Sequence, residues 1–302
     1  MLSQKLLRDE GSVLLYGMTP PKRDSAPDRL AAIADAQTAR INALQPDAVV
    51  LYDIQDEAMR NPAPRPFPFL ETVDPLVYGR HHLQGVVQPK IYYRAVGKYT
   101  EQALRADLAS LNQDATVFVG AASRLAPGSL TLQQAYAIHR AVNPEALLGG
   151  VVIPERHQVD RKEHHRVVAK TAAGCAFFIS QCIFNTEILR NFLSDYHYHC
   201  KAEGLSPVPI ILTVTPCGSA KTLEFMRWLG IGVSHHLENE LLYSTHMLER
   251  SVELCFLIAQ EILEFARRLG LRVGFNVESV STRKEEIEAA GRLLEEVRGL
   301  VG

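Results

Sequence analysis

Four carboxylates, Asp53, Asp56, Glu155 and Glu278, stand at or just past the end of short apolar runs, and the amides Gln181 and Asn185 occupy the same kind of place. The runs are V-V-L-Y-D-I-Q-D-E at 49–57, L-L-G-G-V-V-I-P-E-R-H at 147–157 and G-C-A-F-F-I-S-Q-C-I-F-N at 174–185. A carboxyl at the edge of an apolar environment holds its proton more tightly and can become an acid near neutral pH. An amide offers a donor and an acceptor together, which suits the orientation of a flat polar ring. Proton transfer to a ring-shaped ligand is the chemistry these residue types fit. The residues do not choose among the four acids.

The elements that must position them follow from hydrophobic patterning. Short β-branched or apolar runs alternate with amphipathic stretches, the pattern of repeated βα units. Eight strands are expected, near Val13–Tyr16, Ala48–Asp53, Pro89–Ala95, Thr116–Gly120, Leu147–Ile153, Phe177–Gln181, Ile210–Val214 and Arg272–Asn276. Between them, capping residues and terminal glycines mark helices over Pro27–Leu44, Thr100–Leu111, Ser219–Leu229, Met247–Leu269 and Thr282–Arg298. Eight such units over residues 1–302 predict one domain, an α/β protein folded as a (βα)8 TIM barrel, whose site is built from the carboxyl ends of its strands. Tyr93 late in the third strand and Thr215 after the seventh then join Gln181 and Asn185 as candidates for substrate contact.

Composition removes other classes. With 32 basic and 34 acidic residues and no long basic run, the chain lacks the electrostatic footprint of a nucleic-acid binder. No stretch is long and apolar enough to span a bilayer, and the first residues lack the apolar core of a signal peptide. Five cysteines without a C-x-x-C pair read as reduced core thiols of a cytoplasmic protein. No metal is expected: in Y-H-Y-H-C at 196–200 a helix would turn His199 away from His197 and Cys200, and the pairs His81-His82, His164-His165 and His235-His236 read as surface or loop residues. The fragment C-G-S-A-K-T at 217–222 lacks phosphate-loop spacing, although a helix starting near Ser219 would present N–H groups to an anion. The insertion R-N-P-A-P-R-P-F-P-F-L at 60–70 is stiffened by its prolines, and its two phenylalanines are expected to pack over the barrel mouth.

Taken together, I-P-E-R-H, Lys170, A-G-C-A-F-F-I-S-Q-C-I-F-N and P-V-P-I-I-L-T-V-T-P-C-G-S resemble the methylenetetrahydrofolate reductase family, with the order of elements similar over about residues 13–294. The resemblance implies that Gln181 hydrogen-bonds the pterin of a tetrahydrofolate derivative, and that His157, Lys170 and Arg124 lie where relatives hold a flavin, FAD. The family's general-acid glutamate falls on Gly17, which cannot donate a proton, and Arg124 stands where the family has an aspartate. Loss of a positioned acid costs on the order of 10²–10⁴ in rate, so Asp53, Asp56, Glu155 or Glu278 must substitute or the reaction differs. Asp53 and Asp56 could equally pair with Arg60 or Arg65, and Glu155 with Arg94 or Arg124. The function so implied is an oxidoreductase acting on a folate one-carbon unit, with hydride from reduced flavin or from NADH or NADPH. A folate-dependent methyl-transfer or demethylation enzyme and a non-catalytic folate-binding protein are the alternatives, and a homo-oligomer is compatible with all three.

Overall fold

A computed structural model describes residues 2–8, 11–57, 61, 63–121 and 129–301. Strands and helices follow in the order α1 (Leu2–Arg8), β1 (Leu14–Met18), α2 (Pro27–Leu44), β2 (Ala48–Leu51), α3 (Pro75–His81), β3 (Lys90–Ala95), α4 (Glu101–Ala109), β4 (Ala115–Val119), α5 (Leu132–Val142) and β5 (Leu148–Val152). The second half continues with α6 (Pro154–Asp160), α7 (Glu163–Ala172), β6 (Phe177–Cys182), α8 (Thr186–Ala202), β7 (Ile210–Val214), α9 (Ala220–Trp228), α10 (His235–Leu242), α11 (Met247–Leu269), β8 (Val273–Glu278) and α12 (Lys284–Val301). All strands are parallel and close in sequence order, β8 pairing with β1. The expected (βα)8 barrel is therefore the fold.

Side-chain alternation along each strand divides the core in two. Val13, Leu15, Val50, Ile91, Tyr93, Val117, Phe177, Ile179 and Ile211 fill the barrel, and Leu2 and Leu6 of α1 pack onto this inner cluster. Their neighbours, such as Leu14, Val49, Tyr92, Phe118, Phe178 and Leu212, face the helices. On β5 the space is taken from next door: a Cβ on Gly149 would lie 2.5 Å from the Phe177 ring, so the bulk of β6 replaces side chains that β5 lacks.

Two connections are elaborated at the carboxyl end. Before the long helix α11, the chain inserts α9 and α10, and their linker is tied to the ends of β5 and β6. Gln181 donates to the Leu229 carbonyl at 2.9 Å, Gly232 N–H donates to Glu155 at 3.2 Å, and Phe184 bridges Val233. The proline-rich insertion after β2 docks on the same helices: Trp228 donates to the Ala63 carbonyl at 2.8 Å, and Phe67 meets Phe225 edge-on at 5.3 Å. Arg65 lies over the rings of Phe69, Phe225 and Trp228. Both phenylalanines are engaged in packing. Among the described residues, no helix is long and apolar enough to cross a membrane.

Candidate active site

Period-two alternation carries Leu15 to Gly17, Val50 to Tyr52, Ile91 to Tyr93 and Gly274 to Asn276 and Glu278, so these positions converge on the barrel mouth. Tyr52 and Tyr93 meet edge to face with ring centroids 4.8 Å apart. The Asn276 amide donates to the Tyr52 hydroxyl at 2.8 Å and to Thr213 Oγ1 at 3.2 Å. Cys182 reaches the mouth because β6 shifts register between Ile179 and Cys182, and its thiol donates to Glu278 Oε1 at 3.2 Å.

Gly17 shapes the centre of this group. It pairs in register with Glu278, and a Cβ built on it would lie 2.8 Å from the Tyr52 hydroxyl, 3.0 Å from Asn276 Oδ1 and 3.0 Å from Glu278 Oε2. The space a side chain would occupy on β1 is thus taken by a carboxyl arriving from β8. The resemblance places a glutamate on β1; here that position has no side chain, and the Glu278 carboxyl of the adjacent strand lies against it. Asn276 Oδ1 and Glu278 Oε2 are both shut away from solvent without a hydrogen-bond partner.

The electrostatics favour proton retention. Burial raises the Glu278 pKa, outweighing the opposing hydrogen bonds from Tyr52, Cys182 and Asn276. Burial, reinforced by the Glu278 charge, drives the Tyr52 and Tyr93 phenols and the Cys182 thiol well above their ordinary ranges. The phenols and the thiol around the carboxyl are therefore neutral, and a protonated Glu278 is an acid or hydrogen-bond donor at a desolvated position.

The other acids have structural partners. Asp53 faces the opposite way from Tyr52, accepting from Ala95 N–H at 2.8 Å and the Tyr99 hydroxyl at 2.7 Å and pairing with Lys98. It belongs to a network in which buried Arg94 bonds Asp74, Tyr99 and Asp107. Asp56 lies 4.0 Å from Arg65. Glu155 holds the Gly232 N–H rather than Arg94; its Oε2 is buried without a partner, and burial raises its pKa. Thus Glu155 is a second protonatable group beside the α9–α10 linker.

Among the expected contact residues, Tyr93 joins the Glu278 group, whereas the Gln181 amide is committed to the Leu229 carbonyl. Asn185 is the N-cap of α8, accepting from Ile188 N–H at 3.1 Å. Thr215 is fully buried, and its carbonyl accepts from the Cys255 thiol. Lys170 donates from α7 to the Val151 carbonyl at 2.6 Å and lies near the outward-facing Phe178. His157 is buried between α6 and α8 against Asp195 and Phe192. Arg124 lies outside the described residues. The helix starting after Ser219 meets Glu286, which accepts from Thr222 at 2.9 Å and abuts Gly218, a poor neighbour for an anion.

Tyr52, Asn276 and Cys182 are site residues the candidate set lacks. Alternation from Val50 points directly to Tyr52, one position before the more conspicuous Asp53. For Cys182 no such signal exists, because it depends on the register shift in β6.

No family model matches the chain, and no curated protein matches its sequence. Among solved structures, an uncharacterized protein from Clostridium thermocellum that binds two copies of 5-methyl-5,6,7,8-tetrahydrofolic acid superposes with a TM-score of 0.88 and 43% identity, over 99% of each chain. A Xanthomonas albilineans dihydropteroate synthase reaches only 0.46 at 12% identity, over 96% of this chain and 93% of its own. The chain belongs to the same family as the Clostridium thermocellum protein.

Proposed function

We propose that this protein binds a reduced folate of the 5-methyltetrahydrofolate class at the barrel mouth, with Glu278 as its protonated partner. The observation that carries the reading is the pair of unpartnered, buried oxygens, Asn276 Oδ1 and Glu278 Oε2, gathered around the bare Cα of Gly17. The ligand of the full-length relative at 43% identity supports the class. A pterin supplies ring N–H and amino donors for the asparagine oxygen and a basic ring nitrogen for the acid, while Tyr52 and Tyr93 offer aromatic surface. Protonation of that nitrogen makes the folate a better leaving group, so methyl transfer or demethylation is the chemistry this geometry supports best.

The hydride-transfer reading adds a flavin or a nicotinamide, and the described residues do not fit the flavin. Two of the three positions that the resemblance assigns to it, His157 and Lys170, are committed to the helix layer. No reaction step is therefore drawn through a flavin.

Calorimetric titration with 5-methyltetrahydrofolate tests the proposal. Binding is expected, with affinity lowered at least about tenfold by Glu278→Ala, in line with loss of a hydrogen bond to a charged or strongly polar group. Glu278→Gln, which keeps a donor at that point, should retain most of the affinity. Absence of binding, or an unchanged affinity in Glu278→Ala, would overturn it. A yellow protein whose colour bleaches with NADH or NADPH, and recovers on adding methylenetetrahydrofolate, would restore the reductase reading.

A further inference from the structure

The packing of α6, α7 and α8 gathers histidines that lie far apart in the chain. His164 and His165, in the first turn of α7, have ring centroids 4.0 Å apart, and His199 of α8 lies 5.2 Å from the first and 4.5 Å from the second. One ligand atom from each of the three falls within 4.8 Å of the others. Behind them His157 approaches His164 at 5.4 Å and bonds Asp195, which stands one turn before His199 on α8 and also meets Arg161. The expectation that His164 and His165 are surface or loop residues fails for His164, which is buried, and both lie on a helix.

His164 and His157 are 8% and 2% exposed, and each keeps a buried Nδ1 with no hydrogen-bond partner. A buried polar atom left unpaired costs on the order of 1–3 kcal/mol, and a core built from leucines would avoid that cost. We propose that His164, His165 and His199 form a binding site for a divalent transition-metal ion of the zinc class, on the helical layer and apart from the barrel mouth.

Three features of the cluster suit that ion. Zinc–nitrogen bonds of about 2.0–2.1 Å place neighbouring ligand atoms about 3.3 Å apart in a tetrahedron, so small side-chain rotations close the present arrangement. His165 is exposed and His199 partly so, which provides an entry path, while His164 closes the inner side. The set of three nitrogen donors favours zinc, copper or nickel over calcium and magnesium. The inner triad of His157, His164 and Asp195 is also within 4.8 Å, but Asp195 is engaged by Arg161 and His157 and is better placed to orient the cluster.

The test uses the full chain, stripped with a chelator and titrated with Co(II), then with Zn(II) in competition. One equivalent of Co(II) per chain is expected, with visible d–d absorption that Zn(II) abolishes. Replacing His165→Ala and His199→Ala together should weaken binding at least about 100-fold, since two of three protein ligands are lost, while His235→Ala with His236→Ala on α10 should leave it unchanged. Thermal melts of both double variants establish that they fold, which the outer positions of His165 and His199 favour. No visible Co(II) spectrum in the parent chain, or binding that survives His165→Ala/His199→Ala, would overturn the proposal. The second outcome would direct attention to the inner triad. Folate titration is unaffected by either result, so the two sites are tested separately.

Discussion

Moving the carboxyl from β8 to β1 should be tolerated where either half of the exchange is not. Gly17 and Glu278 are register partners on adjacent strands, about 4.8 Å apart in the hydrogen-bonding direction. In Gly17→Glu alone, the new Cβ meets the Tyr52 hydroxyl at 2.8 Å and both Asn276 Oδ1 and Glu278 Oε2 at 3.0 Å. Overpacking of this kind costs about 1–3 kcal/mol. Two carboxylates ~4 Å apart would repel by about 4 kcal/mol at an effective dielectric constant of 20, which the pair reduces by sharing one proton. In Glu278→Gly alone, Cys182 and Tyr52 lose the group they surround, an unsatisfied-polar cost of about 1–3 kcal/mol.

The double variant Gly17→Glu/Glu278→Gly restores one carboxyl and one bare Cα, and removes the contact between the two carboxyl-bearing side chains and the vacancy; the contacts of the new Cβ with Tyr52 and Asn276 remain in both Gly17→Glu proteins and cancel from the coupling. Double-mutant coupling between contacting residues spans about 0.5–3 kcal/mol, and the upper half of that range is expected here. At an unfolding entropy of about 2.1 cal/mol/K per residue, each kcal/mol shifts the Tm of a chain this long by roughly 1.6 °C. The double variant should therefore melt about 3–5 °C above the sum of the two single changes. Thermal melts of the four proteins, read by circular dichroism, provide the cycle. Shifts that add to within about 0.5 kcal/mol would refute the claim that Gly17 exists to admit Glu278.

Two further outcomes follow from the same site and its surroundings. Because burial raises the Glu278 pKa, the folded state holds this proton more tightly than the unfolded chain. Its contribution is complete below the ordinary glutamate value of about 4.3 and is lost as pH climbs through the raised value. Glu278→Gln should accordingly gain Tm relative to the parent as pH rises from about 4 to 8; a gap that shrinks over that range would contradict the sign. On the outer face, Arg94 is 3% exposed between Asp74 and Asp107. Arg94→Met should cost about 3 kcal/mol, the low end for a broken buried pair because both carboxylates keep some hydration, or ~5 °C in Tm. Folate affinity measured by calorimetry should not change, and a loss of affinity would place Arg94 in the mouth.

The fold was legible because its signals are local and repeated. All eight expected strands form, and α2 and α11 run over Pro27–Leu44 and Met247–Leu269 as the end signals predict. Pro27 opens the first helix, whereas Gly270, at φ 68°, closes the second in a left-handed conformation that suits glycine. The site was only partly legible, and parity explains much of the difference. Val50 faces inward, so Tyr52 does too and Asp53 cannot; an acid at a strand end is a candidate only when it shares the inner parity. Gln181 has that parity, but the α9–α10 insertion claims its amide, a contact that a sequence separation of 48 conceals. The histidine cluster is hidden in the same way, since nothing local to His164 announces His199.

A strand-end acid in a parallel barrel is defined by the point it reaches, and that point is accessible from two neighbouring strands. Strand spacing is shorter than an extended glutamate side chain, so a carboxyl can pass from one strand to the next provided its partner position surrenders its side chain. Gly17 and Glu278 meet that condition: register partners, one without a side chain, the other with an oxygen 3.0 Å from where that side chain would begin. Comparison position by position reads Gly17 as the loss of an acid, whereas the register sets the Glu278 carboxyl of β8 beside the bare Cα. The consequence is chemical as well as positional. Arriving among neutral phenols, a thiol and an amide, with no cation contributing to its pKa shift, the carboxyl is driven towards its protonated form by burial. A lysine or arginine introduced at Cys182 would stabilise the carboxylate instead. Such a variant should retain the fold only at a cost, and should lose the pH-dependent stability gap between Glu278 and its glutamine replacement.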